Sequence, residues 1–494
     1  MPAASEQKYS TGTGLVYIFN LIVGTGALTL PSVFNRAGWA VGVALVLLLA
    51  FMSFVTVTFV VESMAAANAV LKWDKLQARA SPAQDDAQGE EQPAEEDEPL
   101  VEQRDGHTSL AYFCLEQKVE LGEMASLFFS KWGRVLFYLC IVVYLYGDLA
   151  IYAAAICKSM TDVICTLNVV NGSVNTSVPE WAACWPVEGE EGEAESGGWR
   201  TASRMLVYRS LLGAFLLLVG PFAFFNVQKT KYLQMATSAV RWTAFGTMIG
   251  LASSRLVADG PQNHPPAAAL AGVPALFGAC VYSFMCHHSL PGLLTPISDK
   301  ARLQRWLCLD YVLVAAFYLL LALTGVFAFA HLEDLYTLVF WRPGQPLGYF
   351  LALFPVLTLS TTFPVVAVTL RSNLRALAPP ALANGPFKGV LALVAVLPPL
   401  GVAFMTMDLS VLVGVTGTYA GAGVQYVIPA LLVWCARSHS QRLLGVSSSE
   451  SRAFASPFRG PCWVGAVLLW AAAAVVLVTL NIVEKFEGKI KAAD

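Results

Sequence analysis

Charged residues are scarce in this chain. Asp, Glu, Lys and Arg make up 13% of its 494 residues, about half the share usual in a soluble protein. The net charge is −3 and no basic patch occurs, so no nucleic acid partner is implied. Nucleotide loops, HExxH, GxSxG and paired acidic metal motifs are missing from the apolar stretches. The sequence therefore points to no enzyme, no metal centre and no cofactor. Nor does it carry the filter-like repeat or charged ring of a channel. The first ten residues are polar, which predicts no cleavable signal peptide and leaves the first apolar helix to act as the insertion signal.

Apolar length is what the chain has in abundance. Hydrophobic residues reach 56% and the mean hydropathy is +0.59. They fall in blocks of about 20, the length that crosses a hydrocarbon core as helix. Lipid leaves backbone polar groups to bond within their own segment, so the predicted class is an all-α multi-pass membrane protein. Eleven spans are predicted. The chain divides into an N-terminus (1–12), helices 1 and 2 (13–71), a polar loop (72–132), helix 3 (133–161), a second loop (162–203), helices 4 and 5 (204–255), helices 6 to 10 (272–437), a third loop (438–461), helix 11 (462–483) and a tail (484–494). The first loop holds QDDAQGEEQPAEEDEPLVEQRD, acidic and poor in aromatics, and is predicted to be largely disordered.

Lys and Arg near the span ends set orientation. With a cytosolic N-terminus, the inside loops hold Lys229, Lys231, Lys300, Arg302, Arg305, Arg371, Arg375, Lys388, Arg437, Arg442, Arg452 and Arg459. The short outside loops hold Arg36, Arg255 and Arg342. Only the tail, with Lys485, Lys489 and Lys491 outside, runs against the rule. Loop 162–203 then faces the lumen or the exterior. It carries two sequons, at Asn171 and Asn175. Cys165 and Cys184 flank them in an oxidising compartment and form the candidate disulfide. Plasma membrane and lysosomal or other endomembranes all fit this topology.

Within helix 1, NLIVGTGALTLP places Gly24 and Gly26 around Thr25, with Asn20 one turn before and Pro31 after. Each glycine costs a helix roughly 1 kcal/mol relative to Ala, and an interior proline about 3. Helix 6, PALFGACVYSFMCHHSLPGLL, has a matching interruption, with Gly278, the polar run Cys286 to Ser289, and Pro291. Two interrupted helices at equivalent places in oppositely oriented halves are the mark of an inverted-repeat transporter. Backbone groups freed by unwinding cannot be satisfied by lipid, but they can be satisfied by a substrate and an ion across a cavity. Glycines let a ligand approach the backbone closely.

FNLIVGTGALTLPSVFNRAGW resembles the first-helix signature of the amino acid/auxin permease family, within the amino acid–polyamine–organocation superfamily. YSFMCHHSLPGLLTPISD resembles its sixth helix, TTFPVVAVTLR its eighth and VLVGVTGTYAGAGVQYVIPALL its tenth. YLYGDLAIYAAA and HHSLPGLLTPISDK are similar to one branch of the family that brings no assigned substrate with it. The resemblance covers most of the membrane part and lapses in 72–132 and in the outside loop. It implies a LeuT-type fold of five plus five inverted helices, with helices 1 and 6 broken and an eleventh appended. It also implies secondary transport of amino acids driven by Na⁺ or H⁺.

On that reading Gly24, Thr25 and Gly26 would offer backbone N–H groups to a substrate carboxylate, and Tyr282, Ser283 and Phe284 would line the facing break. Core packing is the alternative for all six. Asn20 matches the family position linked to a sodium site, and Thr362 its helix 8 partner, with Ser360 and Thr361 as register alternatives. Those hydroxyls could equally bond the preceding turn of their own helix. Arg241 departs from the family pattern. It sits nine residues into helix 5, near the midplane, where a charge is costly and a functional hypothesis by default. Members of the superfamily with a fixed basic side chain there work without sodium. Asp148 in helix 3 is similarly deep and could instead be its ion-pair partner. His287 and His288 titrate near physiological pH and could carry coupling protons, or could satisfy carbonyls at the bend. The leading expectation is a sodium-independent amino acid transporter in the lipid bilayer, coupled if at all to protons. The alternative is a non-transporting amino acid sensor on the same fold.

Overall fold

Ser10 starts the first helix as an N-cap: its Oγ accepts from the Thr13 amide at 3.3 Å, opening α1 (Thr11–Ile22). Val23 ends that helix, and Gly24 leaves helical geometry at φ −121° and ψ −149°. The chain restarts as α2 (Thr25–Ala37) across a 53° bend. The sequence is the cause, because Gly24 and Gly26 weaken the ladder where the bend falls. The computed structural model describes residues 8–80, 112–165, 169–170, 173–174, 183–184, 202–224, 231–342, 345–378, 388–451 and 453–491.

The next elements are α3 (Trp39–Ala80), the short α4 (Leu121–Phe128), α5 (Lys131–Ile164), a hairpin of β1 (Val169–Val170) with β2 (Ser173–Val174), and α6 (Arg204–Val219). Then come α7 (Lys231–Asp259), α8 (Val273–Ser283), a 3-10 turn (His287–Ser289) and α9 (Leu290–Leu294). The chain continues with α10 (Leu303–Ala328), α11 (Pro346–Leu377), α12 (Lys388–Met405), α13 (Leu409–Thr416), α14 (Ile428–Leu444) and α15 (Pro461–Lys491). Between α13 and α14 the backbone is π-helical at Gly417–Gly421 and Gly423–Val427.

Among the described residues, eight helices are long and apolar enough to cross a membrane, and nine if α1 and α2 form one bent span. The difference from eleven lies in two helices. At 18 residues α12 is short; its rise is about 27 Å. The apolar stretch of α7 is interrupted by Arg241 and by repeated Ser and Thr. The protein is an all-helical, multi-pass membrane protein.

Packing places the two interrupted segments at the centre. α2 lies against α8, and α10 touches α1, α2, α3 and α7. α5 runs along α11, and α3 along α14. α8 packs on α13 and the turn after it so closely that a Cβ on Gly278 would fall on the Gly414 backbone and one on Gly417 on the Gly278 carbonyl. Small residues at such crossings let membrane helices approach.

The polar loop 72–132 is ordered at both edges. α3 continues to Ala80, and Phe113, Leu115 and Val119 are buried. Asn68 clamps that strap, donating to the Gln117 carbonyl at 3.1 Å and accepting from its amide at 2.9 Å. The acidic run at 81–111, and Asn171 and Asn175, lie outside the described residues. Cys165 and Cys184 form a disulfide.

Candidate functional site

Interrupting α1 leaves its last carbonyls without amide partners, and two side chains take them up. The Arg241 guanidinium on α7 donates through one nitrogen to the Asn20 carbonyl at 2.5 Å and to the Val23 carbonyl at 3.1 Å. The Tyr318 hydroxyl on α10 lies 2.9 Å from the Ile22 carbonyl and 2.7 Å from the Ser283 carbonyl. Ile22 ends α1 and Ser283 ends α8, so one phenol, with one proton to give, spans both interruptions. The backbones also touch directly. A Cβ on Gly26 would lie 2.7 Å from the Ser283 Cα, a separation only glycine permits.

A second chain of contacts links α5 to both breaks. Tyr282 donates to the Asp148 carboxylate at 2.5 Å, and its oxygen lies 3.2 Å from Thr25 Oγ1. With the phenol proton committed to Asp148, Thr25 is the donor in that second bond. Asp148 is therefore held by Tyr282, with Tyr152 a turn further along α5 close by. It is not the ion-pair partner of Arg241: among the described residues no carboxylate pairs with that guanidinium. The C-terminal dipole of α1 holds the cation instead.

Other expected residues sit elsewhere. Thr361 and Thr362 donate back to the Thr358 carbonyl at 2.8 and 2.9 Å. Thr358, one turn earlier on α11, brings a hydroxyl residue to the cleft beside Gly24, Thr25 and Arg241, with Phe354, Pro355 and Leu359 of the same helix. Ser360 is likewise not among the cleft's lining residues, although Pro364 lacks the N–H that would pair its carbonyl. Asn20 contributes its backbone carbonyl to the Arg241 contact. Ser283 Oγ donates to the Ala279 carbonyl. Phe284 turns into the core, stacked on Tyr311 and edge-on to Tyr318. His287 bonds Thr56 through Nε2 at 2.9 Å, and His288 packs on the Tyr144 ring.

The cleft between Thr25, Arg241 and Thr358 holds about 10 Å³, room for a water and not for an amino acid. Polar contacts tie the bundle together at both ends. At one end, Arg36 at the close of α2 bonds Asp334 at 2.5 Å and Ser410 at 3.1 Å, and Ser32 donates a second bond to Asp334. At the other, Tyr9 exchanges backbone bonds with Pro296 and Ser298, and its hydroxyl donates to the Leu293 carbonyl.

A family model described as transmembrane amino acid transporter protein matches residues 7–72, the stretch that carries the first break and α3. Over nearly the whole chain, the sequence is 46% identical to transmembrane protein 104 of Homo sapiens, with 97% of each chain covered. It is 45% identical to the Drosophila melanogaster homolog, covering 96% of this chain and 97% of the relative. The Dictyostelium discoideum homolog is 33% identical over 96% and 97%. The chain belongs to the transmembrane protein 104 family.

Three structural features of this transmembrane protein 104 family member were not read from the sequence. Tyr318 stands in the apolar run of α10, and a buried phenol that needs a partner is the signal it offered. Thr358 was missed by one helical turn. Glu62, fully buried on α3, receives both Arg437 nitrogens at 2.8 Å, the Ser448 hydroxyl at 2.9 Å and the Ser456 amide at 2.9 Å. An acid inside FVVESMAAANAV was a visible sign of such a partner.

Proposed function

We propose that the protein is a secondary active transporter of amino acids or a similar small zwitterion, working by alternating access without sodium. The architecture fits a LeuT-type arrangement of five plus five inverted helices, with α1/α2 and α8/α9 as its broken pair and α15 as the eleventh span. One observation carries the reading: Arg241 occupies the carbonyls at the end of α1, between two interruptions that face each other. Those carbonyls are the groups that would ligate a cation. A sodium ion about 4 Å from the guanidinium would be repelled by about 4 kcal/mol at an effective dielectric of 20, so the fixed charge replaces it. The Thr25 and Gly26 amides at the start of α2 suit a substrate carboxylate, while the Ala27 amide bonds the Gly24 carbonyl at 3.3 Å.

The orientation that fits is a cytosolic Tyr9 end. The Cys165–Cys184 disulfide follows the end of α5 that lies beside Asp334, in keeping with an oxidising compartment there. The test is thermal stabilisation of the purified protein by each amino acid in choline buffer. A ligand at 100 times its Kd should add about 2.7 kcal/mol. Stabilisation that appears only when sodium is added would contradict the reading.

A further inference from the structure

Asp310 lies on α10 and is 4% exposed. Its Oδ2 has no protein hydrogen-bond partner, and it enters no ion pair among the described residues. It stands eight residues before Tyr318, about 12 Å along the helix toward the Tyr9 end. The next residue, Tyr311, contacts Cys286 Sγ at 3.2 Å, at the start of the turn that follows α8. α10 therefore carries a tyrosine fixed to the second break and a tyrosine fixed to both, seven residues apart on one face, with Asp310 adjoining the first of them. Any opening of the breaks moves the surroundings of this carboxyl.

We propose that Asp310 is the proton-binding side chain that couples the transport proposed above to a proton gradient. An unpaired carboxylate in such a setting is costly. Adding a proton removes that cost, and Oδ2 is the atom open to receive it. The step is balanced by water. A proton from water on one side forms an O–H bond at Oδ2, giving the neutral acid. When the opposite side opens, that bond breaks and the proton returns to water there. One proton crosses per cycle. The other candidates are less suited to exchange. Asp148 is held by Tyr282, and His287 is tied to Thr56 through Nε2; His287 and His288 each leave Nδ1 without a partner, but a proton there creates a buried charge, where a proton on Asp310 removes one. The titratable neighbours of Asp310 are Cys286 across the interface and Tyr311 on its own helix. From α1, α2, α3 and α7, which pack on α10, no charged group acts on it among the described residues.

Two measurements test this with Asp310→Asn and Asp310→Glu. In the first, infrared difference spectra of the purified protein are followed from mildly acidic to mildly alkaline pH. One component of the carboxylic-acid carbonyl band should titrate in the wild type, shift in Asp310→Glu and be lost from Asp310→Asn, while the Glu333 component remains in all three. Spectra without such a difference would overturn the assignment, whether or not the protein transports. In the second, proteoliposomes take up a radiolabelled mixture of the proteinogenic amino acids. Asp310→Asn should exchange label across equal pH but lose gradient-driven accumulation at least tenfold, with Asp310→Glu restoring it. Accumulation by Asp310→Asn equal to wild type would overturn the proposal. So would loss of exchange in both variants, which marks a structural role. Wild-type protein that exchanges no label would count against transport itself, leaving the infrared result to decide proton binding.

Discussion

At the scale of single residues, the account turns on two contacts between the broken helices. A Cβ on Gly26 would lie 2.5 Å from Ser283 Oγ and 2.7 Å from its Cα, and backbone cannot yield cheaply. Gly26→Ala should therefore force α2 from α8, costing about 1–3 kcal/mol as overpacking and abolishing substrate binding. A thermal melt and a ligand-stabilisation assay on the purified variant check both outcomes. Tyr318→Phe should leave the Ile22 or Ser283 carbonyl unpaired, a loss of about 1–3 kcal/mol, with uptake falling more than expression. A variant with wild-type melting and uptake would show that the phenol does not hold the breaks. The importance of Gly26 was readable from the sequence, because glycines in a helix signal a break. Tyr318 was not, because its two partners lie 296 and 35 residues away.

At the scale of elements, the interruptions were legible because Gly and Pro act locally on the helix ladder. The depth of Arg241 was legible from its place in α7, but its choice of the α1 carbonyls over Asp148 was not. That choice depends on how α7 and α5 rotate around the breaks. Helix 8 shows the limit of such readings, since one turn separates Thr362 from Thr358 and both fit the pattern TLSTTFP. The loop after α10 adds a pH response. Burial pushes the Glu333 carboxyl up to about 7, beside Lys158, Asp162, Asp334 and Arg204. A folded value above the ordinary carboxylate range means stability that is full below that range and lost as pH rises through about 7. The Arg36–Asp334 contact should accordingly loosen in mildly alkaline solution, as ionised Glu333 adds charge beside Asp334. Cysteine-reagent access at Ser32→Cys, measured across pH, should rise toward alkaline values and lose that rise in Glu333→Gln. An unchanged profile in Glu333→Gln would place the response elsewhere.

At the scale of the whole molecule, polar contacts tie both ends of the bundle, and the cleft between the breaks is too small for an amino acid. Alternating access requires that each tie can release while the other holds, and the two are built differently. The Arg36 end is an ion pair with hydroxyl support, and the Tyr9 end is backbone pairing. The membrane class and the family were legible from apolar block length and from the first-helix motif, both local patterns. The tying of the two ends was not, because it depends on contacts such as Arg36 with Asp334, 298 residues apart. The central claim is that this architecture moves amino acids without sodium. Its most direct test is exchange of a radiolabelled amino acid mixture by wild-type protein in proteoliposomes, in choline buffer at equal pH on both sides. The account predicts exchange above that of empty liposomes, unchanged when sodium replaces choline. Exchange that requires sodium, or binding of label with no exchange at all, would contradict it.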